Sequence, residues 1–136
     1  MKRTASAHWE GDVKSGKGNI STQSTVLNKT QYSYLTRFEN GVGTNPEELL
    51  AAAHAGCFTM ALSLGLGQGG FKPTALDTVA TVTLEGLDIK GVHLSVKGQV
   101  PGISAQQFGE AVKAAEKNCI ISKALSAPIS SDAELV

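Results

Sequence analysis

Cys57 and Cys119 are the only cysteines of the chain, and thiol chemistry is the chemistry most open to it. They lie too far apart in sequence for a C-x-x-C redox motif. In space, one can still attack as a thiolate and the other can resolve the product. Cys57 ends the small-residue run Ala51-Ala52-Ala53-His54-Ala55-Gly56, and Cys119 closes a later helical segment just after Lys117-Asn118. A thiol becomes strongly nucleophilic when its pKa falls, which needs a cation or a helix N-terminus nearby. Cys57 sits mid-helix by sequence, so a helix dipole cannot serve it and an Arg must. Arg37, in Tyr34-Leu35-Thr36-Arg37-Phe38, could be a partly buried cation that needs a partner, and Glu47 and Glu48 open the long helix. A plainer reading stays open for each. Most free cysteines are small buried hydrophobes. Arg37 reads equally as a solvated sheet-edge residue, and acids at a helix start are favoured by the dipole alone.

Two other constellations are weaker. His54 and Cys57 are three apart on one helix, as two metal ligands would be, but a zinc site needs further protein ligands and none is evident, so no metal is expected. His54 reads more simply as a packed or interfacial histidine. Gly65-x-Gly67-x-x-Gly70 matches a dinucleotide pattern in letters only. It follows a helix and opens none, whereas that motif needs strand then helix. A helix C-cap and turn explain it, and no cofactor is expected.

The elements that must position these residues read as follows. Runs at 4–13, 19–24 and 32–38 look like a β meander, with Ser33, Leu35 and Arg37 on one face of the third strand. Asn45-Pro46-Glu47-Glu48 is a strong helix start, with a cap, Pro at the first position and an acid three residues past the cap. The helix should run from 46 to about 64–66. It is apolar nearly all round, which predicts burial. Segments 76–84 and 92–100 alternate as strands. Ser104 with Gln107 predicts a capping box opening an amphipathic helix to about 118. Residues 122–126 read as a turn and 128–136 as a last strand. The order β-β-β-α-β-β-α-β predicts an α+β fold with an antiparallel sheet, in which a second copy of the apolar helix supplies the missing cover.

Composition narrows the function classes. At 136 residues the chain, 1–136, reads as one domain. Twelve basic residues balance twelve acidic ones, so there is no electrostatic footprint for nucleic acid or an anionic membrane. The apolar stretch 51–66 is interrupted by His54 and small residues and reads as too short to span a membrane. No apolar segment follows the basic start Met1-Lys2-Arg3-Thr4, and two cysteines in that setting predict a reducing, cytoplasmic compartment.

The run from Thr44 through Asn45-Pro46-Glu47-Glu48-Leu49-Leu50-Ala51-Ala52-Ala53-His54-Ala55-Gly56-Cys57-Phe58-Thr59-Met60-Ala61-Leu62 resembles the signature of the OsmC/Ohr family of thiol peroxidases. The likeness covers nearly the whole chain, including Thr36-Arg37-Phe38 and the second cysteine. Ala7-His8-Trp9-Glu10-Gly11-Asp12 and His54 are closer to the OsmC branch. One departure is Ile120, where the family usually has Pro. The resemblance implies an intertwined α+β homodimer with antiparallel sheets wrapping two long central helices. It implies reduction of organic hydroperoxides in stress defence, more weakly of hydrogen peroxide, with a dithiol reductant of lipoyl type. Carried over by motif, Cys57 would be the peroxidatic cysteine and Cys119 the resolving one. Arg37 would stabilise the thiolate, and Glu47 would hold Arg37 by a bidentate pair. Phe58, Met60 and Leu62 would suit an organic tail.

A competing reading, from another class, is a non-catalytic dimeric protein binding a small apolar ligand. Helix geometry bears on how a site could be shared. Glu47 and Cys57 lie roughly 15 Å apart along one helix and about 80° apart around it. If two copies of that helix run antiparallel and cross near Ala52, Glu47 of one chain comes level with Cys57 of the other.

Overall fold

Short β-rich runs broken by glycine and asparagine turns form a meander at the start of the chain. β1 (Ala5–Glu10), β2 (Lys17–Thr22) and β3 (Thr30–Tyr32) pair antiparallel in the order β1-β2-β3. Gly18 lies opposite both Trp9 and Tyr32, whose rings meet over it with centroids 5.4 Å apart. A Cβ at Gly18 would come within 2.7 Å of the Tyr32 ring, so only glycine leaves room for this aromatic cover. The computed structural model describes Met1–Val136 and divides into two units, Met1–Leu49 and Leu50–Val136.

The third strand ends earlier than its alternating pattern predicts. Residues Tyr34–Phe38 form a short helix, α1, and Arg37 lies in its last turn rather than on a strand face. The reason is a capping box: Ser33 Oγ accepts from the Thr36 amide at 3.4 Å, and Thr36 Oγ1 accepts from the Ser33 amide at 2.8 Å. That reciprocal pair outweighs the β preference of Tyr, Thr and Phe.

α2 (Pro46–Gln68) starts as its sequence requires, with Asn45 Oδ1 accepting from the Glu48 amide at 2.7 Å. It ends at the glycines: Gly70 has φ +87°, and the Phe71 amide returns to the Leu66 carbonyl at 2.9 Å. At 23 residues it is longer than the apolar stretch suggests and is long and apolar enough to cross a membrane. Its inner face is nonetheless committed to a protein core. Phe58, Leu62 and Leu66 are buried against Val92, Leu94 and Val96. Within the single chain the burial of α2 is one-sided. Only His54, Phe58, Leu62 and Leu66 are fully buried, while Met60 is 76% and Leu64 64% exposed.

The second sheet has the order β4-β5-β6, from β4 (Ala75–Glu85), β5 (Asp88–Gln99) and β6 (Ile129–Leu135). β4 and β5 are antiparallel, but β5 and β6 are parallel, so the sheet is mixed rather than wholly antiparallel. A crossover explains this, since a helix between two strands returns the chain in the same direction. That helix, α3 (Ala105–Asn118), opens with the Ser104–Gln107 capping box and buries Phe108, Val112 and Ala115. Gly98 lets β5 lie flush on it, because any Cβ there would collide with the Phe108 ring. Residues Ile120–Ala124 form a further short helix, α4, which takes in the first part of the turn expected at 122–126. Cys119 is both the C-cap of α3 and the N-cap of α4.

Candidate active site

Two pairs of the candidate residues come together, one pair in each unit. In the first, Asn45 does two jobs. Its Oδ1 caps α2, and its Nδ2 donates to the Thr36 carbonyl at 2.9 Å, tying α1 to the start of α2. This brings Arg37 to Glu47: Arg37 Nε donates to Glu47 Oε1 at 2.8 Å. The expected bidentate pair is absent. The guanidinium stacks over Phe38, with Cζ 5.4 Å from the ring centroid, and presents only its Nε edge to the carboxylate. Glu47 Oε2 is buried without a partner, and the terminal nitrogens of Arg37 bond to nothing in the chain. Beside the guanidinium lies a cleft of about 240 Å³ lined by Trp9, Val13, Tyr32, Ser33, Tyr34 and Phe38.

In the second pair, the thiols of Cys57 and Cys119 face one another and are not joined by a disulfide. Cys57 is half-buried on α2, whereas Cys119 is 1% exposed. The two thiols shift in opposite directions, Cys57 up and Cys119 down. Burial pushes the Cys57 thiol up, as does the neighbouring Cys119 sulfur, against a smaller opposing pull from the Ile121 and Ile120 amides. Burial acts the same way on Cys119. There it is outweighed by the Cys57 thiol, by the amide and hydroxyl of Ser122 and by the Ile121 amide, which together bring Cys119 below an ordinary thiol.

His54 and Ser122 complete this cluster. His54 is fully buried, and its Nε2 lies 2.7 Å from Ser122 Oγ. Burial holds the imidazole pKa below its usual value. No three His, Cys, Asp or Glu side chains gather as a metal site requires. Ser122 escaped the sequence reading, although Cys119 and Ser122 stand at the spacing of an N-cap and its third helical residue. Of the side chains expected to receive an organic tail, Phe58 and Leu62 are sealed in the core and only Met60 is exposed. His93 bonds Ser130 at 2.7 Å and Asp132 at 2.6 Å on the exposed sheet face.

The OsmC family model, described as OsmC-like protein, matches residues 38–134. The chain is 49% identical to the peroxiredoxin OsmC of Escherichia coli strain K12, over 99% of this chain and 97% of that protein. It is 39% identical to the organic hydroperoxide resistance protein OhrA of Bacillus subtilis strain 168, over 63% of this chain and 62% of that one. The crystal structure of the organic hydroperoxide resistance protein OhrB of Bacillus subtilis superposes with a TM-score of 0.72 at 27% identity, covering 98% of each chain.

Proposed function

The chain belongs to the OsmC family, and from that premise we infer that it is a cysteine-based peroxidase acting on organic hydroperoxides. The observation that carries this reading is the facing pair of free thiols, one reachable from solvent and one sealed beneath it. The accessible Cys57 thiolate attacks the terminal peroxide oxygen. The O–O bond breaks, the alcohol leaves, and Cys57 becomes a sulfenic acid. Cys119 then closes a Cys57–Cys119 disulfide with release of water, and a dithiol of lipoyl type restores both thiols.

Burial pushes the Cys57 thiol up, so its thiolate needs a cation. Arg37 is that cation in our reading, held by Glu47 through Nε so that its terminal nitrogens stay free for a sulfur or a peroxide oxygen. We place both in the site from the partner of a homodimer. Support comes from the exposed face of α2, where Ala52, Ala53, Gly56, Met60 and Leu64 lie uncovered. Small residues there let a second copy approach closely. The family match spans both units, so we treat 1–136 as one functional domain. The aromatic cleft beside Arg37, rather than Phe58 and Leu62, is the place for the organic group, and it favours such peroxides over hydrogen peroxide. The two free thiols fit a reducing, cytoplasmic setting.

The test is peroxide consumption by the purified protein, with tert-butyl, fatty-acid and hydrogen peroxides and with lipoyl and thioredoxin-type dithiols. Faster turnover of the organic substrates is expected. No consumption with any pairing would leave the apolar-ligand binding protein as the better reading.

A further inference from the structure

The cysteine pair is framed by a second pair, and together the four residues form a closed arrangement. His54 and Cys57 are three apart on α2, and Cys119 and Ser122 are three apart across the start of α4. The thiols face each other at one end, and His54 Nε2 meets Ser122 Oγ at 2.7 Å at the other. His54 is 0% and Ser122 9% exposed, so the link lies away from bulk water. The other ring nitrogen of His54, Nδ1, is buried with no partner. An imidazole half-satisfied in an apolar core costs stability that a leucine would not, so stability does not account for its presence.

We propose that His54 and Ser122 are positioning residues for the resolving step, with His54 Nε2–H donating to Ser122 Oγ so that the Ser122 hydroxyl donates to the Cys119 sulfur. This rests on the peroxidase reading above. The proton count fixes the direction. A serine hydroxyl has one hydrogen; if it were given to His54, none would remain for sulfur, and the imidazole N–H would be stranded at Nδ1. With the proton on Nε2, the buried orphan is a bare lone pair, the milder of the two. Burial disfavours the charged ring and so favours the neutral form, which has a single N–H. In the step served, the Cys119 thiolate attacks the Cys57 sulfur. An S–S bond forms, the S–O bond of the sulfenic acid breaks, and hydroxide leaves as water with the proton that Cys119 gave up. Cys119 is oxidised and the Cys57 sulfur is reduced from sulfenic acid to disulfide. A donor on Cys119 keeps it a thiolate, the form that attacks.

The experiment is a single turnover with one equivalent of tert-butyl hydroperoxide. Samples are quenched in dimedone, and mass spectrometry follows the Cys57 sulfenic acid and the Cys57–Cys119 disulfide. In Ser122→Ala the sulfenic acid should persist about tenfold longer, the effect of one lost hydrogen bond to a charged sulfur, while its appearance slows far less. Ser122→Thr keeps the hydroxyl and should restore resolution. His54→Gln, whose amide can replace Nε2–H, should resolve faster than His54→Leu. A wild-type sulfenic acid lifetime in Ser122→Ala, or equal slowing of both steps, overturns the proposal. If the wild-type chain itself forms neither species, the peroxidase reading fails as well.

Discussion

Arg37 Nε and Glu47 Oε1 are joined by one hydrogen bond of 2.8 Å, and the second carboxylate oxygen of Glu47 stays buried and unpaired. A guanidinium held by its edge is oriented but not consumed. Arg37→Met should therefore raise the pH midpoint for alkylation of Cys57 and slow its reaction with peroxide. Arg37→Lys should recover little, because an ammonium cannot bond Glu47 and present a planar pair of donors at once. An unchanged alkylation profile in Arg37→Met would remove Arg37 from the site.

The two thiols differ in exposure, in line with the separate roles proposed for them. Cys57→Ser should abolish turnover. Cys119→Ser should still react once, leaving a sulfenic acid on Cys57 that dimedone traps. Equal trapping at Cys119 in the Cys57→Ser chain would reverse the assignment, which the lowered Cys119 thiol makes a fair contest.

A shared site predicts complementation. Glu47→Ala and Cys57→Ser chains, co-refolded, should form mixed dimers with one intact site and more activity than either parent. If mixed dimers form and stay inactive, Glu47 serves its own chain and the antiparallel helix crossing is wrong.

His54 gives a pH signature in stability. Its folded pKa lies below the usual 6.5, so on acidification the unfolded chain takes up this proton first. Stability is therefore unaffected by this group above about pH 6.5 and falls as the pH drops below it. The urea midpoint should drop less in His54→Gln than in wild type between about pH 7 and pH 5. Parallel curves would mean that the imidazole charges freely in the fold.

Much of this was legible because it is local. Asn45, Pro46 and Glu48 fix the start of α2 whatever surrounds it, and Ser104 with Gln107 does the same for α3. The failures mark where local signals compete or where partners are distant. Tyr34–Phe38 alternates like a strand, but the Ser33–Thr36 box decides for a helix. The parallel placement of β6 depends on the α3 crossover, which no single segment declares. Ser122 matters only because the α3–α4 junction folds back onto α2 at His54, a meeting of residues far apart in the chain. The Arg37–Glu47 pair was expected from the family resemblance, but its one-sided geometry, with the guanidinium over the Phe38 ring, shows only in the fold.

The exposed face of α2 also carries a chemical liability. Met60 stands 76% exposed on it, and a thioether is oxidised by the very peroxides a thiol peroxidase meets. Its sulfoxide is polar, so oxidation would wet the surface that the proposed second copy would dry. A chain that assembles before it encounters peroxide would keep Met60 hidden; one that meets peroxide while alone would lose part of its ability to assemble. Dilution, and not only dose, would then govern how long such a protein survives its own substrate.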